Sequence, residues 1–354
     1  MYKVCVYAIC KNEEKFIRRW FDSMSEADKI FVLDTGSTDD SVKILKELGV
    51  EVKYSLINPW RFDKARNMSL DMVDDDADIC VCTDIDEVFE KGWRDKLEKA
   101  WNKGTTRASY IYNWSLKDNI PLVSFYYEKI HSRRGYRWIY PVHEVLKCDC
   151  KEKKVFVDIV LNHYPDKDKI RNYLPLLEIS VKENPLDDRN MHYLGREYMY
   201  LGDWNKAIDT LIKHLNLKTA TWKDERCASM RFIGRCYKNL KRYDEAEMWY
   251  KKAILEAPYL KDGYAELGLF YYDNKRYEDA ITFLNKALEI KTNYKTYINE
   301  YFCLPLYIYD LLSICYFNIN DYKKALENID KAIKIDADER LLENRRIIEK
   351  NIDI

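Results

Sequence analysis

Asp84, Asp86 and Glu87 crowd three carboxylates into "TDIDE" (83–87), directly behind the apolar run that holds Ile79 and Val81. Side chains two apart on a strand point the same way, so Asp84 and Asp86 are expected to converge just past the strand end. Converging carboxylates repel unless a hard cation lies between them. Mg²⁺ or Mn²⁺, held by one or two carboxylates with phosphate oxygens completing its shell, suits that pattern. A D-x-D by itself suits a solvated turn equally well. Its setting favours the cation, because "CKNEE" (10–14) and "LDTGSTDD" (33–40) also place polar clusters behind apolar runs.

In the second cluster Gly36 permits a tight turn, and Ser37, Thr38 and Asp39 can cap a following helix. Asp34 is not needed for capping, so its carboxylate is free to accept hydrogen bonds from a base or ribose. "FDKARN" (62–67) supplies Arg66, whose planar fork suits phosphate or carboxylate, with Asn67 beside it. "SRRGYRW" (132–138) concentrates Arg133, Arg134 and Arg137. That cluster fits either a diphosphate or anionic acceptor, or a solvated loop.

These residues need a frame. VCVYAIC (4–10) reads as a buried strand and 12–24 as a helix, with Phe16, Ile17, Trp20, Phe21 and Met24 at helical spacing. Residues 29–41 are a strand running into a turn, and 40–49 a helix stopped by Gly49. Residues 50–55 alternate as a strand, 64–73 are helical, and 77–84 form a strand. Strand–helix alternation predicts an α/β domain with a mostly parallel sheet over residues 1–165. In such sheets ligands bind beyond the carboxyl ends of the strands, where the polar clusters fall.

The rest of the chain, 166–354, repeats. Gly195, Gly234, Gly268 and Ser313 are each followed three residues later by Tyr198, Tyr237, Tyr271 and Tyr316. Trp204, Tyr243, Tyr277 and Tyr322 follow at nine, and Ala207, Ala246, Ala280 and Ala325 at twelve. Ala253, Ala287 and Ala332 extend the last three copies. The pattern resembles tetratricopeptide repeats, stacked helix pairs in which small residues allow close approach and aromatics fill the seam.

The successive motifs CKNEE, VLDTGSTDDS (32–41), FDKARN and TDIDE resemble those of the family-2 glycosyltransferases. The resemblance implies a GT-A fold and an inverting transfer from a nucleotide sugar, a UDP-sugar being favoured. It places Asn12 and Glu13 near the nucleotide, Asp34 on base or ribose, and Arg66 near the diphosphate, with Asn67 in the same donor site. Asp84 then faces ribose or metal, and Asp86 is the main ligand of Mn²⁺ or Mg²⁺. Glu87 has the weakest claim on the ion and either braces the loop or approaches the sugar. The V-H-E of "IYPVHEVL" (139–146) resembles that of relatives in which such a domain precedes tetratricopeptide-like repeats. It nominates Glu144 as catalytic base, and His143 as a contact to acceptor or donor phosphate or as a structural histidine. His163 ends the last predicted strand and resembles the histidine that completes the metal site in many GT-A enzymes.

Lys plus Arg number 59 and Asp plus Glu 60, so no basic excess marks a nucleic-acid surface. No apolar stretch approaches a membrane span, and a cytoplasmic protein is expected. The ten cysteines lack C-x-x-C spacing, which predicts reduced cysteines packed as small hydrophobes. The expected acceptor is a protein or peptide held partly by the repeats, or else a glycan of lipopolysaccharide type. Resemblance extends to glycocin peptide S-glycosyltransferases and lipopolysaccharide-core glucosyltransferases. A non-catalytic repeat scaffold is the competing class, and self-association through the repeats is a further expectation.

Overall fold

VCVYAIC forms strand β1 (Val4–Cys10), buried along nearly its whole length. The computed structural model describes residues 1–149, 151–166, 168, 172–291 and 296–352, and the chain divides into two compact units, Met1–Glu183 and Asn184–Ile354. In the first unit β1 pairs in parallel with β2 (Lys29–Asp34) and with β4 (Ile79–Cys82), and β3 (Glu51–Tyr54) adds to β2. Such strands, covered on both faces, need unbroken apolar runs, which these sequences supply. Helices α1 (Glu14–Met24), α2 (Ser41–Glu47) and α3 (Phe62–Leu70) make the crossovers. Ile17, Trp20 and Met24 recur at helical spacing on α1 and are buried in the core.

Beyond β4 the sheet departs from the expected mostly parallel form. It continues through β7 (Ile120–Ser132), β6 (Arg107–Lys117), β10 (Lys154–His163) and β5 (Glu87–Phe89), and the β4–β7, β6–β7 and β5–β10 pairs are antiparallel. The cause is local. Asp118 and Asn119 both adopt positive φ, 51° and 65°, and close a two-residue hairpin whose twist suits antiparallel strands. Helix α4 (Trp93–Ala100) follows β5, and β8 (Tyr136–Ile139) pairs with β9 (Val145–Cys148) in a separate ribbon. Helix α5 (Leu174–Glu183) closes the unit.

A polar chain crosses this core. Trp138 Nε1 donates to the Tyr7 hydroxyl at 2.9 Å, Tyr7 donates to His131 Nε2 at 2.8 Å, and His131 Nδ1 donates to the Ser132 carbonyl at 2.8 Å. Every link is satisfied only by neutral imidazole, and burial lowers the His131 pKa to about 3. In the unfolded chain the ring titrates near about 6.5. Its folded pKa is therefore depressed. The contribution to stability is complete above the unfolded value and is lost as pH falls toward the folded one. Urea unfolding at pH 7.5 and 5.0 should show wild type losing about 2 kcal/mol more than His131→Gln over that interval. Equal losses would remove the assignment.

The second unit is helical. Its paired helices are α6 (Asp188–Tyr200) with α7 (Trp204–Asn216), α8 (Lys223–Asn239) with α9 (Tyr243–Glu256), and α10 (Lys261–Asp273) with α11 (Tyr277–Glu289). Helix α12 (Pro305–Asn318) pairs with α13 (Tyr322–Ile335), and α14 (Glu339–Ile352) follows. A Cβ on Gly195, Gly234 or Gly268 would lie under 3 Å from Leu211, Tyr250 or Leu284, so each small residue is where helix partners touch. The repeat alanines named above are fully buried. The aromatics divide. Tyr271 fills the seam as expected, whereas Trp204, Tyr243, Tyr277 and Tyr322 open the second helix of their pairs and Tyr243 is half exposed. The long spacing before the last copy accommodates a 3-10 turn, Tyr301–Cys303.

Eight cysteines are free and buried, as small hydrophobes should be. Cys148 is disulfide-bonded, which corrects the expectation that all ten are reduced; Cys150 lies outside the described residues. Among the described residues no helix is long and apolar enough to cross a membrane.

Candidate active site

Strand β4 ends at Cys82, and Thr83–Asp86 form a turn rather than continuing the strand. Asp84 and Asp86 therefore face different partners, and the expected convergence of the two is replaced by a division of labour. Trp20 Nε1 of α1 donates to Thr83 Oγ1 at 3.0 Å and fixes the start of the turn. Glu87 Oε2 accepts the Asp84 amide at 2.8 Å and braces its far side. Of the two roles expected for Glu87, the buried carboxylate fills the loop-bracing one.

Asp84 sits between two buried cations. Its Oδ1 accepts from Arg66 at 2.7 Å and its Oδ2 from Lys129 at 3.0 Å, and Lys129 also lies 3.4 Å from Glu87 Oε1. Burial opposes the charged carboxylate, but Arg66 and Lys129 outweigh it and hold Asp84 well below the usual carboxylate range. Burial raises Glu87 instead. Arg66 also donates to Glu144 and lies over the Trp138 ring, 5.3 Å from its centroid. Helix α3, strand β7 and the segment before β9 thus meet at one buried charge cluster. Lys129 escaped the sequence reading because it is a lone lysine in an aromatic strand. The period-2 set Phe125, Tyr127, Lys129, His131 was its available signal.

Asp86 faces His163. The antiparallel register sets His163 opposite Glu87, and the Tyr164 amide donates to the Asp86 carbonyl at 2.8 Å. His163 Nε2 then lies 3.3 Å from Asp86 Oδ2. Nδ1 meets the Trp114 carbonyl at 3.0 Å and the ring stacks on Trp114, centroids 4.6 Å apart. An Nδ1–H spent on a carbonyl leaves Nε2 as a lone pair, the usual way a protein orients a ligating histidine. Neighbouring ligands of a metal at about 2.1 Å lie roughly 3.0–3.4 Å apart, so the pair fits a divalent ion. Burial works against a charged ring, but Asp86 outweighs it and raises the His163 pKa, so proton and metal compete for Nε2. Asp84, Asp86 and His163 are not gathered into one three-ligand group among the described residues. Asp84 instead pairs with Arg66 and Lys129.

The β1 and β2 ends interlock. Asn12, at φ 55°, accepts the Thr38 amide at 2.7 Å and donates its own amide to Ser37 Oγ at 2.9 Å. The Glu13 amide donates to Ser41 Oγ at 2.8 Å, and Asp39 Oδ1 accepts from the Ser41 amide at 3.0 Å at the start of α2. Asp34 is buried, with its carboxylate accepting the Gly36 amide at 3.1 Å and the Ser37 amide at 3.2 Å. Its carboxylate anchors the turn.

This geometry joins the motif order to a family. Residues 5–144 match the family model "Glycosyl transferase family 2", and residues 232–259, 262–294 and 306–339 match "Tetratricopeptide repeat". The chain carries a family-2 glycosyl transferase domain. An uncharacterized glycosyltransferase of Rickettsia typhi is 22% identical over 266 residues, 75% of this chain and 80% of that protein. The lipopolysaccharide core biosynthesis glycosyltransferase LpsC of Rhizobium meliloti is 24% identical over 139 residues, 38% of this chain and 49% of LpsC. Among solved structures, a thermophilic TPR protein of Thermus thermophilus is 21% identical over 51% of this chain and 89% of its own, with a TM-score of 0.34.

Other expected residues of the glycosyl transferase domain serve its frame. Asn67 donates to the Trp138 carbonyl at 2.8 Å and accepts the Trp138 amide at 2.9 Å, which ties α3 to β8. Both ends of its amide engage the Trp138 backbone. Arg133 donates to the Val73 carbonyl at 3.1 Å and Arg137 pairs with Asp71, so these two arginines brace the segment after α3. His143 adopts φ 49° and meets Tyr173 edge-on, centroids 5.5 Å apart, beside Glu144.

Proposed function

We propose that the glycosyl transferase domain moves a hexosyl group, with inversion, from a nucleotide sugar, UDP-linked by preference, to a protein or peptide acceptor held partly by the repeats. The observation that carries this reading is the Asp86–His163 pair standing two residues from the Arg66–Asp84–Lys129 cluster at the end of β4. A bound Mn²⁺ or Mg²⁺ supplies the charge that stabilises the leaving diphosphate. The chain's own residues do the rest. The interlocked Asn12–Ser37–Thr38 loops receive the nucleotide, and Asp34 holds their shape. Arg66 and Lys129 offset the carboxylates of Asp84 and Glu144 and keep the floor of the site fixed, which lowers reorganisation when charge develops. Glu144 takes the acceptor proton as general base, on the oxygen that Arg66 does not hold.

The family match and the survival of these groups together support an enzyme over a scaffold. The similarity to LpsC, a lipopolysaccharide core biosynthesis glycosyltransferase, favours a second reading, the same chemistry on a lipopolysaccharide-type glycan. A thermal-shift screen across UDP-, GDP- and CMP-sugars with Mn²⁺ tests donor use. A UDP-sugar at 100 times its dissociation constant should add about 2.7 kcal/mol. No shift with any nucleotide sugar would sink the proposal.

A further inference from the structure

A second polar cluster is buried in the repeat unit. Asp188 and His192 are four apart on α6 and share a face; Glu225 and Ser229 are four apart on α8 and do the same. His214, near the end of α7, lies between them and is fully buried. One ligand atom each from Asp188, His214 and Glu225 lies within 4.8 Å of the others.

The hydrogen bonds around this trio leave a specific gap. Ser229 Oγ lies 2.7 Å from His192 Nδ1 and 2.9 Å from His214 Nδ1. A hydroxyl has one proton, so at least one imidazole donates to it. Where His214 donates from Nδ1, a neutral ring turns the lone pair of Nε2 toward Glu225 Oε1, 3.3 Å away. Lone pair then faces carboxylate. At that spacing Nε2 has no well-aligned hydrogen bond although solvent cannot reach it. Buried polar atoms are nearly always satisfied, and an orphan calls for a water or an ion. Two ligands at about 2.0–2.2 Å from a tetrahedral metal lie roughly 3.3–3.5 Å apart, which is the observed spacing. Tyr297 donates to Glu225 Oε2, and Ser229 holds the His214 ring, so both buried ligands are oriented by groups behind them.

We propose that His214 Nε2, Glu225 and Asp188 bind a divalent transition cation of the zinc class, which cross-links α6, α7 and α8. Asp188 is only half buried, so the fourth position opens on its side, where water can complete the shell. The set of one imidazole and two carboxylates suits Zn²⁺ or Co²⁺ better than Mg²⁺.

The test uses the full-length chain, stripped of metal and titrated with Zn²⁺ and, separately, Co²⁺. Thermal unfolding of the repeat unit and the visible absorption of tetrahedral Co²⁺ are followed in wild type, Asp188→Asn, Glu225→Gln and Asp86→Asn. Asp188→Asn changes a half-exposed residue in the first turn of α6, so it should fold as wild type does. Wild type and Asp86→Asn are expected to bind Co²⁺ tetrahedrally and gain stability with Zn²⁺. Asp188→Asn should bind roughly tenfold or more weakly, and Glu225→Gln should lose the absorption. Absence of tetrahedral Co²⁺ binding in wild type would overturn the proposal. So would equal affinity in wild type and Asp188→Asn, or loss of the signal in Asp86→Asn alone.

Discussion

Asp86→Ala is expected to lower turnover by roughly 100- to 1,000-fold while leaving the chain folded. Metal stabilisation of a leaving group is worth several kcal/mol, and each 1.36 kcal/mol is about tenfold in rate. Removing the Asp86 carboxylate leaves His163 alone opposite the donor phosphates. The fold should survive because the turn is held by other bonds: Trp20 to Thr83, the Asp84 amide to Glu87, and the Tyr164 amide to the Asp86 carbonyl. None needs the deleted side chain; the Asp86–His163 pair is lost with it. Turnover is measured as nucleoside diphosphate release at saturating Mn²⁺, and the fold by urea unfolding. An Asp86→Ala protein with wild-type turnover would remove Asp86 from the metal site.

The second large effect falls on stability. Arg66 is buried and bridges Asp84 to Glu144 with its face over Trp138. Arg66→Ala strands two carboxylates in the interior, although Lys129 still reaches Asp84. Removing one partner of a buried ion pair typically costs about 3–5 kcal/mol. For a unit of this size that is a fall in Tm of roughly 10 °C. Arg66→Lys should recover little, since an ammonium cannot span both carboxylates and stack on the indole. A loss below about 1 kcal/mol on urea unfolding of Arg66→Ala would show that the cluster contributes little to the fold.

What the sequence made legible follows from how local each signal was. Val4–Cys10 could be read directly because a doubly covered strand must be apolar throughout. The repeats were readable because Gly195, Gly234 and Gly268 each meet a fixed partner on the next helix, so the pattern records a contact. The Asp118–Asn119 hairpin went unread. Its turn lacks glycine, yet it folds the chain back so that β7 runs antiparallel to both β6 and β4. Site residues divide in the same way. Asp86 and His163 were expected together and stand together, because the β5–β10 register joins them. Asp34 and Asn67 carry side chains that fit a donor site, but backbone amides and carbonyls nearby claim them. Lys129 is distant in sequence from the four motifs around β1 to β4 and reaches Asp84 through the β4–β7 pairing.

The central claim is that a divalent ion held at Asp86 and His163 supports transfer from a nucleotide sugar. Its most direct measurement is nucleoside diphosphate release by the full-length wild-type chain from UDP-sugars, before and after chelation. Release in Mn²⁺ that stops with chelator and returns when Mn²⁺ is restored is the expected result. Release that continues undiminished without a divalent ion would contradict it.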